Sequence, residues 1–285
     1  MTPTPLFTLM GILNLTPDSF SDGGQWFTPS DGMNLNAVVA HAQWLIKHGC
    51  TVLDVGGEST RPGAVTVSVE DELQRVLPAI TALRQAFPHV ALSIDTRKAA
   101  VAQAALKAGA SIINDVSGLT YDAEMVRVVA ESKATLVLMH SQGTPQTMQH
   151  HPHYTCVVSE VREFLQRQSQ WAISHGVKQN AIVWDVGFGF GKTTEHNCQL
   201  LANLHTFTGH GYPVLLGTSR KSFLTLGNTT PPPAERDTLT AATVWHGYAQ
   251  GCSWFRVHNP QAIQPVLALA QATLPQTVIG KMACD

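Results

Sequence analysis

The sequence predicts one (β/α)8 barrel of the TIM type, an α/β fold with its active site at the C-terminal ends of the strands. Short apolar runs recur eight times along the 285 residues, with helical patterns between them. The runs are continuously apolar rather than alternating, as expected for parallel strands covered on both faces. No strand-linked GxGxxG fingerprint supports the competing doubly wound sheet.

The strand candidates are "LMGIL" (9–13), "TVLDV" (51–55), "ALSID" (91–95), "SIINDV" (111–116), "TLVLMH" (135–140), "AIVWDV" (181–186), "PVLLG" (213–217) and "SWFRVH" (253–258). Between them, Ser68 and Asp71 form a capping box ahead of Leu73, Val76, Leu77, Ile80 and Leu83. Pro78 interrupts that pattern and predicts a kink or an early break. Val157, Val158, Val161, Leu165 and Ala172 mark another helix before Gly176, and Asn259–Pro260 caps a last one through Val266 and Leu269. Gly49 and Gly109 follow helical patterns as C-terminal stops do. Trp44 and Trp171 fall in helical patterns and read as packing. The proline-rich "GNTTPPPAER" (227–236) reads as a surface loop, so residues 1–285 are taken as a single domain.

Composition narrows the function classes. Hydrophobic residues make up 44% and charged residues 13%, enough apolar material for a large core. The net charge of -2 gives no general attraction to nucleic acid or to an anionic membrane. Any anionic ligand must be held by a local site. The N-terminal stretch has no basic region or long apolar run, and no run reaches membrane-spanning length. Cys50, Cys156, Cys198, Cys252 and Cys284 are dispersed without a CxxC pair, which predicts reduced thiols, mostly core filler, in the cytoplasm.

Chemistry gathers where the strands end. Asn14 closes the first run, Asp95 the third, Asn114 and Asp115 the fourth, His140 the fifth, Asp185 the sixth, and Arg256 with His258 the eighth. Any one of these could be a turn or helix cap. Together they form a ring of polar groups facing one mouth, which points to a site.

The loops add further candidates. "GGESTRPGA" (56–64) offers hydroxyls and a guanidinium at a glycine-flanked tip, as a mobile lid would. "DVGFGFGK" (185–192) sets a strand-end carboxylate beside glycines and Phe190, a suitable wall for a flat ring. Lys192–Thr193 imitates a phosphate loop, but the GxxxxGK[ST] spacing is missing. "GTSRKSF" (217–223) follows the seventh run, where barrels often place an anion-binding helix N-terminus. Lys221 there is either a point-charge donor or a Schiff-base lysine, with Arg220 beside it to depress its pKa. Arg256 and His258 share a strand face and suit joint binding of phosphate. The His-rich "MHSQGTPQTMQHHPHY" (139–154) fits no standard zinc ligand spacing.

Taken in series, "GILNLTPDSFSDGG", "DVGGESTRPGA", "IDTRK", "INDVSGL", "DVGFGFGK", "GTSRKS" and "RVH" resemble the dihydropteroate synthase family, from about Met10 to His258. The resemblance implies joining 6-hydroxymethyl-7,8-dihydropterin diphosphate to para-aminobenzoate with Mg²⁺, releasing diphosphate and dihydropteroate. It implies pterin recognition by Asp185, Asn114 and Asp95, donation from Lys221, and a ring slot lined by Phe190 and Met139. It further implies a diphosphate site of Asn14, Thr60, Arg256 and His258, with Asn14 as the protein ligand for Mg²⁺ and Arg256 stacking on the ring. Arg61, Pro62, Phe190 and Ser222 would shape the aminobenzoate pocket. The family is typically a cytoplasmic homodimer and a sulfonamide target. The chain departs from the pattern at Val186, where the family usually has proline.

Two other functions share parts of this pattern. A methyltetrahydrofolate-dependent corrinoid methyltransferase would use the same carboxylate–pterin recognition, without need for Mg²⁺, the "STRPGA" lid or the "RVH" pair. A non-catalytic pterin binder should lack the diphosphate ligands.

Overall fold

The structure is a computed structural model and describes residues 7–16, 27–28, 32–61, 63–227 and 231–274. Eight parallel strands close into a barrel in sequence order. They are β1 (Thr8–Asn14), β2 (Val52–Gly56), β3 (Ala91–Asp95), β4 (Ile112–Asp115), β5 (Thr135–Met139), β6 (Ile182–Asp185), β7 (Val214–Leu216) and β8 (Trp254–Val257). All eight predicted runs are strands. A two-residue antiparallel pair, Phe27–Thr28 with Gly32–Met33, follows β1.

Outside the barrel lie α1 (Leu35–Lys47), α2 (Val69–Ala86), α3 (Ala99–Lys107), α4 (Met125–Ser132), α5 (Val157–Ser174), α6 (Thr194–Ala202), α7 (Asp237–Ala249) and α8 (Pro260–Thr273). Helix starts follow the side chains that satisfy free N–H groups. Ser68 Oγ accepts from Asp71 N at 3.0 Å, and Asn259 Oδ1 accepts from Ala262 N at 3.4 Å. Gly49 and Gly109 take φ of +97° and +115° just past α1 and α3, a conformation side-chain-bearing residues avoid.

Two expectations about helices are corrected. First, α2 does not break early at Pro78: the helix runs from Val69 to Ala86 with that proline inside it. Proline removes one internal hydrogen bond, but Val76, Ala79, Ile80 and Leu83 are fully buried on either side of it. That packing outweighs the lost bond. Second, β7 is followed by a 3-10 turn, Ser222–Thr225, and the α-helix begins only at Asp237. Leu226 in the left-handed region ends the turn, and Pro231 to Pro233 keep the next stretch from continuing it.

The pleat sorts each strand into two faces. Outward residues such as Leu53, Ile94, Leu138, Trp184 and Phe255 join the large core between barrel and helices. Inward, Met10, Val52, Ile112, Val137, Val183 and Leu215 fill the barrel's lower interior. The inward positions above that plug, counting two residues at a time, are where the polar ring sits. Trp44 and Trp171 pack half-buried against the outer core, as expected. The cysteines divide: Cys50 and Cys252 are buried, whereas Cys156 is exposed at the start of α5, and Cys284 lies outside the described residues.

Candidate active site

The centre of the mouth is Arg256, on the inward face of β8. Its Nε donates to Asp54 Oδ2 at 2.6 Å and its Nη2 to Asp95 Oδ2 at 2.8 Å. Asn114 Nδ2 donates to the same Asp54 oxygen at 3.1 Å. Burial works against the Arg256 cation, but Asp54 and Asp95 outweigh it and hold its pKa above the usual value. Asp95 is pushed the other way: burial raises its pKa, and the neighbouring Asp54 charge adds to this against the pull of Arg256. Asp54 Oδ1, Asn114 Oδ1 and Ser93 Oγ are buried without a hydrogen-bond partner. Buried acceptors in that condition are costly unless a ligand or water meets them.

Asp185 ends β6 on the other side of the mouth. Its Oδ1 accepts from Gly187 N at 2.8 Å, which fixes the carboxylate. That bond does not depend on the residue between them, where Val186 is buried in the outer core. Burial raises the Asp185 pKa, opposed chiefly by Lys221. Lys221 Nζ donates to Phe188 O and lies 4.7 Å from the centre of the Phe190 ring. Burial lowers the Lys221 pKa to about 8, with Asp185 opposing. Met139, at the end of β5, is buried and pairs in register with Asp185.

The third cluster is basic. His258 Nδ1 and Ser219 Oγ are 3.0 Å apart, and His258 N donates to the same hydroxyl at 3.2 Å. The Ser219 hydroxyl thus meets both the backbone and the Nδ1 side of the imidazole, which leaves Nε2 as the other ring nitrogen. Burial lowers the His258 pKa well below its ordinary value, and Arg220, Arg256, Arg61 and Lys221 lower it further.

Thr60 and the exposed Arg61 stand at the tip of the loop after β2. The base of that loop is clamped: Glu58 accepts from Arg97 Nη2 at 3.1 Å, Lys98 Nζ at 2.9 Å and Val67 N at 3.1 Å. Arg97 in turn lies 4.2 Å over the Tyr121 ring, and Lys98 reaches the buried Glu72 at 2.5 Å. Asn14 is half-buried at the end of β1. Ser222 is exposed and opens the 3-10 turn, so no α-helix N-terminus meets a ligand there. Pro62 and residues 17–24 lie outside the described residues.

Some members of the sequence-level ring do play the plain capping role. Asp115 has outward parity, and its carboxylate holds Ser117 N and Leu119 N at 2.8 Å. His140 is buried with its Nδ1 2.9 Å from Lys192 Nζ. Burial and the Lys192 charge drive its pKa down to about 2, so it carries no charge.

Residues 10–258 match the family of pterin binding enzymes. The chain belongs to that family. A dihydropteroate synthase of Synechocystis sp. is 43% identical across 93% of this chain and 89% of its own. That of Haemophilus influenzae is 40% identical across 93% of both. Among solved structures, the Yersinia pestis dihydropteroate synthase with a sulfonamide drug complex superposes with a TM-score of 0.87 at 40% identity, over 93% of this chain and 94% of that one. The Xanthomonas albilineans enzyme in complex with 7,8-dihydropteroate does so with a TM-score of 0.81 at 37% identity, over 94% of both.

Within this pterin-binding barrel, three site residues escape the sequence reading. Asp54 sits mid-strand between Leu53 and Val55. A carboxylate inside a continuous apolar run, two residues below a glycine-ended strand, was the available signal. Ser219 lies inside a quoted motif, but nothing in its spacing marks it as the partner of His258. Lys192 is taken for a phosphate-loop imitation, and the structure buries its ammonium instead.

Proposed function

We infer that this chain is a dihydropteroate synthase, condensing 6-hydroxymethyl-7,8-dihydropterin diphosphate with para-aminobenzoate to give 7,8-dihydropteroate and diphosphate. The observation that carries this is likeness to enzymes of that name over about nine-tenths of the chain, at 43% and 40% identity.

The residue roles follow from donor and acceptor chemistry. Asp185 keeps one oxygen on Gly187 N and offers the other to the amino group and ring N–H of the pterin. Asn114 and Asp95 complete that edge, and the unpartnered Asn114 Oδ1 supports the assignment. Lys221 donates to the ring's acceptors, while Met139 and Phe190 flank its faces. For Asp95 to turn to the pterin it must loosen its bond to Arg256, and Asp54 keeps the guanidinium in place meanwhile. Thr60, Arg256 and His258 hold the diphosphate, with His258 donating from Nε2. Arg61, Pro62, Phe190 and Ser222 shape the aminobenzoate pocket. A sulfonamide would occupy the same pocket, by analogy with the Yersinia pestis complex.

Mg²⁺ suits the donor set. Asn14 contributes one hard amide oxygen, and among the described residues no three His, Cys, Asp or Glu side chains gather into a cage. That pattern fits a cation that takes its other oxygens from substrate phosphate and water. When bound, Mg²⁺ neutralises charge on the departing diphosphate.

The arylamine is a weak nucleophile, and among the described residues no general base is placed beside its pocket: Ser222 is exposed and Lys221 is held on Phe188 O. The bond between the exocyclic methylene and oxygen therefore breaks first, its electron pair leaving with diphosphate. The pterin ring shares the resulting positive charge, the amine attacks, and its proton passes to water. Arg256 and His258 are concentrated where negative charge develops. Exclusion of water from the cation is assigned to residues 57–61 and 63–64; residues 17–24, expected to share that role, lie outside the described residues. Dispersed cysteines support a cytoplasmic setting, and the family pattern supports a homodimer. Incubation with the pterin diphosphate, Mg²⁺ and labelled para-aminobenzoate should give labelled dihydropteroate. Failure with folded protein would refute the assignment.

A further inference from the structure

The loop after β6 has five successive main-chain carbonyls, and each accepts from a side chain. Lys192 Nζ donates to Gly187 O at 2.9 Å and Phe190 O at 3.1 Å. Lys221 Nζ donates to Phe188 O, Gln149 Nε2 to Gly189 O at 2.6 Å, and Tyr154 Oη to Gly191 O at 2.8 Å. On the opposite side, Gly189 N donates to Asn197 Oδ1 at 2.7 Å. The loop is pressed against the chain leaving β5: a Cβ on Gly187 would lie 1.9 Å from His140 O, and one on Gly191 2.4 Å from Gln142 O.

Lys192 stands at the centre of this arrangement. It is 2% exposed, and its four partners are Gly187 O, Phe190 O, His140 O at 3.3 Å and His140 Nδ1 at 2.9 Å. None of them is a carboxylate. Burial lowers the Lys192 pKa well below its ordinary value, with Asp185 opposing; burying the amine is costly, and an apolar side chain would fill the same space without that cost. What an apolar side chain would not do is draw two carbonyls of the loop and one of β5's end onto a single point.

We propose that Lys192 is a positioning residue for pterin recognition. Its Nζ fixes the 187–190 turn against the end of β5, and so sets where Asp185 presents its outer oxygen and Phe190 its ring. Through Gly187, the same residue that accepts from Lys192 also donates to Asp185. The inference rests on the reading of Asp185 and Phe190 as pterin ligands.

The test compares two probes by calorimetry, 6-hydroxymethylpterin and inorganic diphosphate with Mg²⁺, on folded wild type, Lys192→Met and Asp185→Asn. Lys192→Met should lose about thirtyfold in pterin affinity, the effect of no longer placing the charge-assisted Asp185–pterin contact, while diphosphate affinity stays unchanged. In steady state, KM for the pterin substrate should rise more than kcat falls. If Lys192→Met does not fold, Tyr154→Phe removes one carbonyl donor from the same loop and should show the same selectivity at about three- to tenfold. Pterin affinity unchanged in the folded variants would overturn the proposal, as would equal losses for both probes. A severe Asp185→Asn beside a silent Lys192→Met sinks this inference alone. A silent Asp185→Asn sinks the pterin assignment and this inference with it.

Discussion

The loop after β6 has all its carbonyls from 187 to 191 held by side chains, whereas the loop after β2 is clamped at its base and tied at its tip mainly by backbone. At that tip, Gly63 N donates to Pro145 O at 2.9 Å and Ala64 N to Arg61 O at 3.0 Å. Arg61 N reaches Ser59 Oγ at 3.4 Å, a weak contact. Both loops are glycine-flanked, yet the first is held through its carbonyls by side chains, and the second through its base, around Glu58. The difference matches the order of the proposed chemistry. A ring slot that must hold a cation benefits from being preorganised, while the arm over diphosphate and amine gains from closing after they bind.

The largest effect should come from the fixed side. Asp185→Asn puts an NH2 either against Gly187 N–H or against the pterin donors, since an amide accepts at only one of the two positions, costing roughly 2–3 kcal/mol, or about 30–150-fold in pterin Kd by calorimetry. Near-normal affinity would show that the slot is misassigned.

The clamp on the other loop gives a smaller and different effect. Glu58→Gln leaves Arg97 and Lys98 without their shared carboxylate and should raise KM for para-aminobenzoate about tenfold, a loss of roughly 1.4 kcal/mol, with pterin affinity unchanged. Loss of pterin affinity as well would erase the contrast between the loops. The clamp also has an acid limit. Hydrogen bonds from Arg97 and Lys98 outweigh burial and lower the Glu58 pKa below its ordinary 4.5. A depressed carboxylate pKa contributes stability above the unfolded value, so unfolding monitored against pH should show this contribution fading as pH falls below about 4.5. Glu58→Gln should flatten that limb.

His258→Ala should cost about 1 kcal/mol for diphosphate binding, roughly fivefold, and leave free pterin alone. It is a cleaner probe than Arg256→Ala, because Arg256 also holds Asp95. Diphosphate should raise the depressed His258 pKa, so binding near neutral pH should take up protons. Calorimetry in buffers of different ionisation enthalpy reads that uptake, and its persistence in His258→Ala would assign it elsewhere. The smallest expected effect is none: borohydride with substrate should leave no adduct on Lys221 by mass mapping, because its amine is engaged with Phe188 O and the ring edge rather than with a carbonyl carbon. An adduct there would move the chemistry toward a Schiff base.

What the sequence made legible was the barrel, because parallel strands buried on both faces write themselves as unbroken apolar runs. Strand ends located the mouth for the same reason. The neighbours Asn114 and Asp115 show where that reading stops, since the pleat sends the first to the site and the second to a turn. Strand parity would have separated them, and would have raised Asp54 to the ring. Lys192 and Ser219 were not legible, because the histidines they meet, His140 and His258, lie 52 and 39 residues away and only the closed barrel brings them together. Pro78 misled in the opposite way, a strong local rule overruled by burial on both sides of it.

The central claim is that the ring slot holds a pterin cation before the amine attacks, and positional isotope exchange tests it most directly. The oxygen bridging methylene and diphosphate is labelled, and the substrate is incubated with the protein, Mg²⁺ and an unreactive aminobenzoate analogue. Cleavage ahead of attack lets the diphosphate turn and recombine, so the account predicts label appearing in non-bridging positions of the recovered substrate. Label confined to the bridge, with diphosphate free to rotate in the site, would contradict it and favour direct displacement by the amine.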